Sequence, residues 1–120
     1  MEKNNADEGT ATQQQKKIKC GLLLFDNYEL LAVMGPAEIF GRFPERIEII
    51  MIGAKKEIKC TQGPRVVTDA QLGDDDASSF PKLDWLLVPG GKGTRTEIHN
   101  KSLLRWIASQ AESEIGRAHV

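Results

Sequence analysis

Met1 to Lys17 hold no large apolar side chain after Met1. Such a stretch buries too little surface to offset the entropy of ordering it, so a disordered tail is expected over 1–17. Ile18 to Phe25 (IKCGLLLF) is then almost continuously apolar and of strand length, the pattern of a parallel strand covered on both faces. After the turn signal Asp26-Asn27, the segment Tyr28 to Phe43 puts Leu30, Met34, Ala37 and Gly41 on one stripe, with Val33 and Phe40 beside it, at helical spacing. Pro36 removes a backbone donor and disfavours helical geometry at Gly35. The regular helix is therefore expected from near Pro36, with Tyr28 to Met34 as an irregular or kinked first turn.

Ile47 to Ile52 (IEIIMI) reads as a second strand. Glu57–Cys60 and Arg65–Thr68 read as a β-hairpin closed by Thr61-Gln62-Gly63-Pro64, and Gly73–Ser79 as a loop. The run Asp84-Trp85-Leu86-Leu87-Val88 is apolar up to Pro89 and then opens into Gly90, Gly91 and Gly93. Behind it, Thr94 and Glu97 have the spacing of a capping box, and Asn100 is placed to cap a further helix. That helix carries an apolar stripe of Leu103, Leu104, Ile107, Ala108 and Ala111, with Trp106 on its flank. The order strand, helix, strand, hairpin, strand, helix predicts an α/β domain with an open, mainly parallel sheet, whose site lies at the carboxyl ends of the strands.

Composition narrows the function classes. Lysine plus arginine (16) nearly balances aspartate plus glutamate (17), so no basic excess steers the chain to nucleic acid. No apolar run is long enough to cross a bilayer, and the first residues lack the apolar core of a leader peptide, so a cytoplasmic protein without a membrane partner is expected.

A strand that ends in glycines leaves bare amides at the edge of a sheet, where an anionic atom can be held. Cys20 and Cys60 lie apart within apolar or β-like runs, which predicts reduced, buried, structural thiols. The cluster Asp74-Asp75-Asp76 lacks the alternation, central glycine and distal glutamate of a calcium loop, so neither a metal nor a cofactor is expected. His99 beside the helix cap and His119 near the end of the chain are read as surface positions.

Taken together, Leu22-Leu23-Leu24-Phe25, Glu29-Leu30-Leu31, Gly35-Pro36-Ala37-Glu38-Ile39-Phe40-Gly41, Asp84 to Gly91 and Leu103-Leu104-Arg105-Trp106-Ile107 resemble the ThiJ/PfpI superfamily of class I glutamine-amidotransferase-like folds. The isonitrile hydratase-like and amidase-like regulator branches are the most similar. The resemblance spans 18–113 and implies the N-terminal half of a flavodoxin-like sandwich, helices on both faces, usually homodimeric and acting on a small-molecule substrate. It further implies a cysteine nucleophile on a strand-to-helix elbow and an oxyanion hole built in part from the amides of Gly90 and Gly91. An acid in the first loop normally contacts that thiol. If catalysis is lost, the resemblance implies instead a regulatory domain that binds a small ligand.

Two positions depart from the family pattern. The family acid falls on Ala32, which can neither take a proton nor hydrogen-bond a thiol; Glu29, three residues earlier, is the candidate to replace it. The elbow cysteine is expected about 10 residues beyond the helix that ends near Ser113, and no G-x-C-x-G or G-x-S-x-G pattern occurs in the chain. Glu114-Ile115-Gly116-Arg117-Ala118-His119-Val120 matches the translation of a common short-read sequencing adapter, so 114–120 is expected to be non-native. A sheet that stops at this point would leave a central strand as an apolar edge.

Overall fold

The computed structural model describes residues 16–72, 82–112 and 116–119. Its strands are β1 (Ile18–Leu23), β2 (Ile47–Gly53), β3 (Glu57–Lys59), β4 (Arg65–Val67), β5 (Ala70–Gln71), β6 (Trp85–Val88) and β7 (Gly116–His119); its helices are α1 (Leu30–Phe40), α2 (Thr94–Glu97) and α3 (Lys101–Glu112). The predicted loop 73–79 with residues 80–81, residues 1–15 of the predicted tail 1–17, and residues 113–115 and 120 lie outside the described residues.

Five strands form one sheet in the order β5-β2-β1-β6-β7, every pair parallel, while β3 and β4 make the separate antiparallel hairpin that the sequence predicts. The apolar run of β1 takes the central position because its neighbours cover both edges and both faces, and Cys20, Gly21, Leu22 and Leu23 are all buried. From β1 the chain steps to β2 on one side, and from β6 to β7 on the other. Right-handed crossovers therefore carry α1 and α3 to opposite faces, the flavodoxin-like arrangement. Leu24, Phe25, Tyr28, Val33, Ile52, Ile58, Leu83, Leu86, Leu103 and Trp106 join β1 in one continuous core.

Two aspartates fix the starts of the flanking strands. The Asp84 amide donates to the Lys19 carbonyl at 2.8 Å, and its carboxylate accepts from the Lys19 amide at 2.8 Å. Asp69 treats Met51 in the same way, at 2.7 and 2.8 Å. Each side chain continues the ladder by one rung before the strand proper begins, satisfying a donor that would otherwise face solvent.

The structure corrects several sequence expectations. Helix α1 runs unbroken through Pro36. The proline forfeits only the bond its own nitrogen would give to the Ala32 carbonyl, and Gly35 has no Cβ to meet the ring, so the usual obstacle to helix before proline is absent. The capping box does not form: Gly93 is the N-cap of α2, and its carbonyl accepts from the Thr96 and Glu97 amides at 3.0 and 2.9 Å. The Glu97 carboxylate instead takes the Asn100 amide group at 3.1 Å, while Asn100 caps α3 as expected, accepting from the Leu103 amide at 3.1 Å.

On α3 the buried face is Leu103, Trp106 and Gln110 with Ile107 half-buried, whereas Leu104 and Ala108 are exposed. The large indole decides the rotation of this helix, because burying Trp106 removes more apolar area from water than burying Leu104. Strand β5 is only two residues long and carries no periodic signal. Strand β6 is not an edge, because β7 pairs with it from Trp85↔Gly116 to Val88↔His119. That ladder is made by backbone groups.

Candidate active site

The carboxyl ends of β1 and β6 meet where the strand order reverses, the place where open α/β sheets bind ligands. Three segments converge there: the loop Asp26–Glu29 after β1, the corner Pro89–Gly93 after β6, and the hairpin tip Thr61–Gln62. The first loop turns at Asn27, which has a φ of 65°, a left-handed conformation that asparagine tolerates better than most residues.

The loop is held from both sides. The Asn27 carbonyl accepts from the Gly93 amide at 3.0 Å and from the Thr61 hydroxyl at 2.7 Å. The Asn27 amide donates to Lys59 at 2.9 Å, and the Tyr28 carbonyl accepts from the Thr61 amide at 2.9 Å. The Glu29 amide donates to the Gly90 carbonyl at 2.9 Å.

Glycine is required at two points of this junction. Gly91 has a φ of +127°, and a Cβ there would stand 2.7 Å from the Asn27 carbonyl oxygen and the Glu29 nitrogen. A Cβ on the buried Gly93 would collide with the Asp26 carbonyl. The glycines after Pro89 thus let two backbones touch, a role the sequence reading assigned only to anion binding. The amides of Gly90 and Gly91 have no acceptor among the described residues. Neither glycine lines either of two cavities found among the described residues at this end of the sheet. One, of about 340 Å³, lies among Leu24, Phe25, Asp26, Glu97 and Trp106; the other, of about 140 Å³, among Leu23, Val88, Pro89, Ile98 and Ile107.

Glu29 sits at the N-cap of α1 with extended backbone, outside the helix, and Ala32 is half-buried in the first turn. The Glu29 carboxylate accepts from Gln62 Nε2 at 3.3 and 3.2 Å, while Gln62 Oε1 takes the Leu30 amide at 3.1 Å. One side chain therefore caps the helix and orients the carboxylate. Sequence reasoning missed Gln62, because nothing local marks a glutamine at a hairpin tip as the partner of a helix start about thirty residues earlier.

The cysteines behave as predicted. Both are free and buried, Cys20 in β1 and Cys60 at the end of the hairpin's first strand. Burial pushes the Cys20 thiol up to about 11, which keeps it protonated and a poor nucleophile at neutral pH. Burial, and secondly the neighbouring Cys60, push Tyr28 up to about 12. His99 is exposed, and His119 falls in β7. Among the described residues no three His, Cys, Asp or Glu side chains are grouped to hold a metal, and no helix is long and apolar enough to cross a membrane.

Solved structures share this architecture. Drosophila melanogaster DJ-1beta matches with a TM-score of 0.72 at 20% identity, covering 87% of this chain and 55% of that protein. A DJ-1 superfamily protein from Salmonella typhimurium, solved as a cysteine-to-alanine mutant, matches with a TM-score of 0.70 at 16% identity, covering 85% and 54%. A ThiJ/PfpI family protein from Pseudomonas syringae matches with a TM-score of 0.70 at 17% identity, covering 96% and 47%. The chain thus spans about half the length of these proteins. No curated protein matches it. The model of the DJ-1/PfpI family matches residues 18–118, nearly the whole described fold, and the chain belongs to the DJ-1/PfpI family.

Proposed function

We propose that this chain is the N-terminal half of a cytoplasmic, homodimeric, cysteine-dependent enzyme of the isonitrile hydratase-like branch, acting on a small carbonyl, amide or isonitrile substrate. The observation that carries the proposal is the junction at Gly90: its carbonyl is taken by Glu29, while its own amide and that of Gly91 are without acceptors among the described residues. Donors fixed before a substrate arrives are what an oxyanion hole requires, since their orientation costs nothing during reaction. Glu29 supplies a carboxylate at the same junction, held by Gln62, in place of the acid absent at Ala32. Support for a homodimer comes from α1, which is apolar almost all round yet fully buries only Val33. In the whole protein the nucleophile is a cysteine on the elbow directly after the strand that β7 represents.

Resequencing the transcript tests this. The expected result is a reading frame that diverges from Glu114 onward and brings a cysteine within a few residues of the β7 position. The complete protein should then turn over an isonitrile or a glyoxal and lose that activity when the cysteine becomes serine. The 120-residue chain alone should turn over neither. Turnover by that chain, abolished by Cys20→Ser or Cys60→Ser, would overturn the assignment. Ala32 favours a second reading, a regulatory domain that binds a small ligand without chemistry; a continuation with no elbow cysteine would select it.

A further inference from the structure

The end of the sheet opposite the glycine corner carries a different feature. Lys16, Lys17, Lys19 and Lys82, with Ile18 and Asp84, line a groove of about 300 Å³ where β1 and β6 begin. All four lysines are exposed, and none forms an ion pair among the described residues, where the pairs are Arg42–Glu38 and Lys55–Asp26. One oxygen of Asp84, the only carboxylate lining the groove among the described residues, is engaged by the Lys19 amide at 2.8 Å. The amides of Lys17 and Lys82 also lack acceptors among the described residues. Four cations around one engaged carboxylate in a concavity repel one another and focus a positive potential into it.

From this clustering we infer a binding site for a compact polyanion carrying adjacent phosphate groups, either free or as the diphosphate end of a small molecule. The groove lies at the lower limit of ligand-pocket sizes, which suits a diphosphate with little attached. A nucleic acid or a membrane surface would need an extended basic face. Here Glu48 stands opposite Lys19 in the β1–β2 register, Glu45 and Arg46 directly precede β2, and the chain as a whole has a net charge of −1. Lysine is suited to the task as a mobile point charge that follows more than one phosphate geometry. This site is separate from the proposed active site and does not depend on it.

Equilibrium dialysis of the 120-residue chain with radiolabelled inorganic pyrophosphate tests the inference, with orthophosphate, a nucleoside diphosphate, duplex DNA and anionic vesicles as comparison arms. Pyrophosphate should bind at low salt, at least about tenfold more tightly than orthophosphate, and weaken as salt rises through the physiological range. Equal or tighter binding of the nucleoside diphosphate assigns the site to a diphosphate end; weaker binding assigns it to the free ion. Lys17→Glu combined with Lys82→Glu should reduce binding at least about tenfold, and the milder Lys17→Gln with Lys82→Gln should reduce it less. Lys55→Glu, outside the groove, should leave it unchanged. The inference fails if pyrophosphate does not bind, if Lys55→Glu weakens binding as much as the groove variants, or if DNA or vesicles bind more tightly than pyrophosphate.

Discussion

The Glu29 amide donates to the Gly90 carbonyl at 2.9 Å, tying the loop after β1 to the corner after β6 across the reversal of strand order. Because Gly91 follows with a φ of +127° and no room for a Cβ, the contact is one of backbone on backbone.

Gly91→Ala should cost roughly 2–4 kcal/mol, combining the penalty of a left-handed backbone with the displacement of Asn27 and Glu29. Gly63 is the control: its φ is +110°, but nothing lies within 4 Å of a Cβ there. Gly63→Ala should cost only about 1 kcal/mol. Urea unfolding of both variants checks the difference, and equal losses would mean that close approach at Gly91 contributes nothing.

Asp84→Ala should destabilise the chain by about 1–2 kcal/mol, because the Lys19 amide loses a charge-assisted partner, and Asp84→Asn should cost less. Hydrogen exchange at the Lys19 amide reads the change directly, with protection falling in the alanine variant and largely kept in the asparagine one.

On α1, Leu31 and Ile39 are 73% and 58% exposed, and a Cβ on Gly35 between them would meet open space. Leu31→Glu with Ile39→Lys should therefore leave the melting transition nearly unchanged while lowering self-association in sedimentation velocity. Val33→Ala, on the buried side of the same helix, should instead cost on the order of 2 kcal/mol without affecting association.

Alkaline pH should unfold the protein early. Cys20 is raised in the folded state from 9.0 to about 11, so between those values the unfolded chain has released a proton that the folded chain retains. Stability is fully present below pH 9 and falls as pH rises towards 11, by up to ~1.4 kcal/mol per pH unit. Tyr28 adds a second loss between 10.0 and about 12. Chemical unfolding from about pH 8 to 11 should show the decline, and Cys20→Ala should flatten its lower half.

Much of the fold was legible because its signals are local. The apolar run of Ile18–Leu23 marks a buried strand wherever it sits, the Thr61–Pro64 turn forces a hairpin, and Asn100 caps the helix that follows it. The site was legible only in outline. The glycines after Pro89 announce an unusual backbone, but their spacing does not say which other backbone they touch.

The sequence by itself determined the buried strand β1, the hairpin, the cap of α3, the mainly parallel order and the burial of both cysteines, since each follows from a side chain and its near neighbours. Tertiary structure alone decided that Gln62 holds Glu29, that Trp106 rather than Leu104 faces the core, and that Gly91 and Gly93 rest on the loop after β1. Those outcomes depend on segments brought together from distant parts of the chain, where competition for space and for hydrogen-bond partners, not local preference, sets the result.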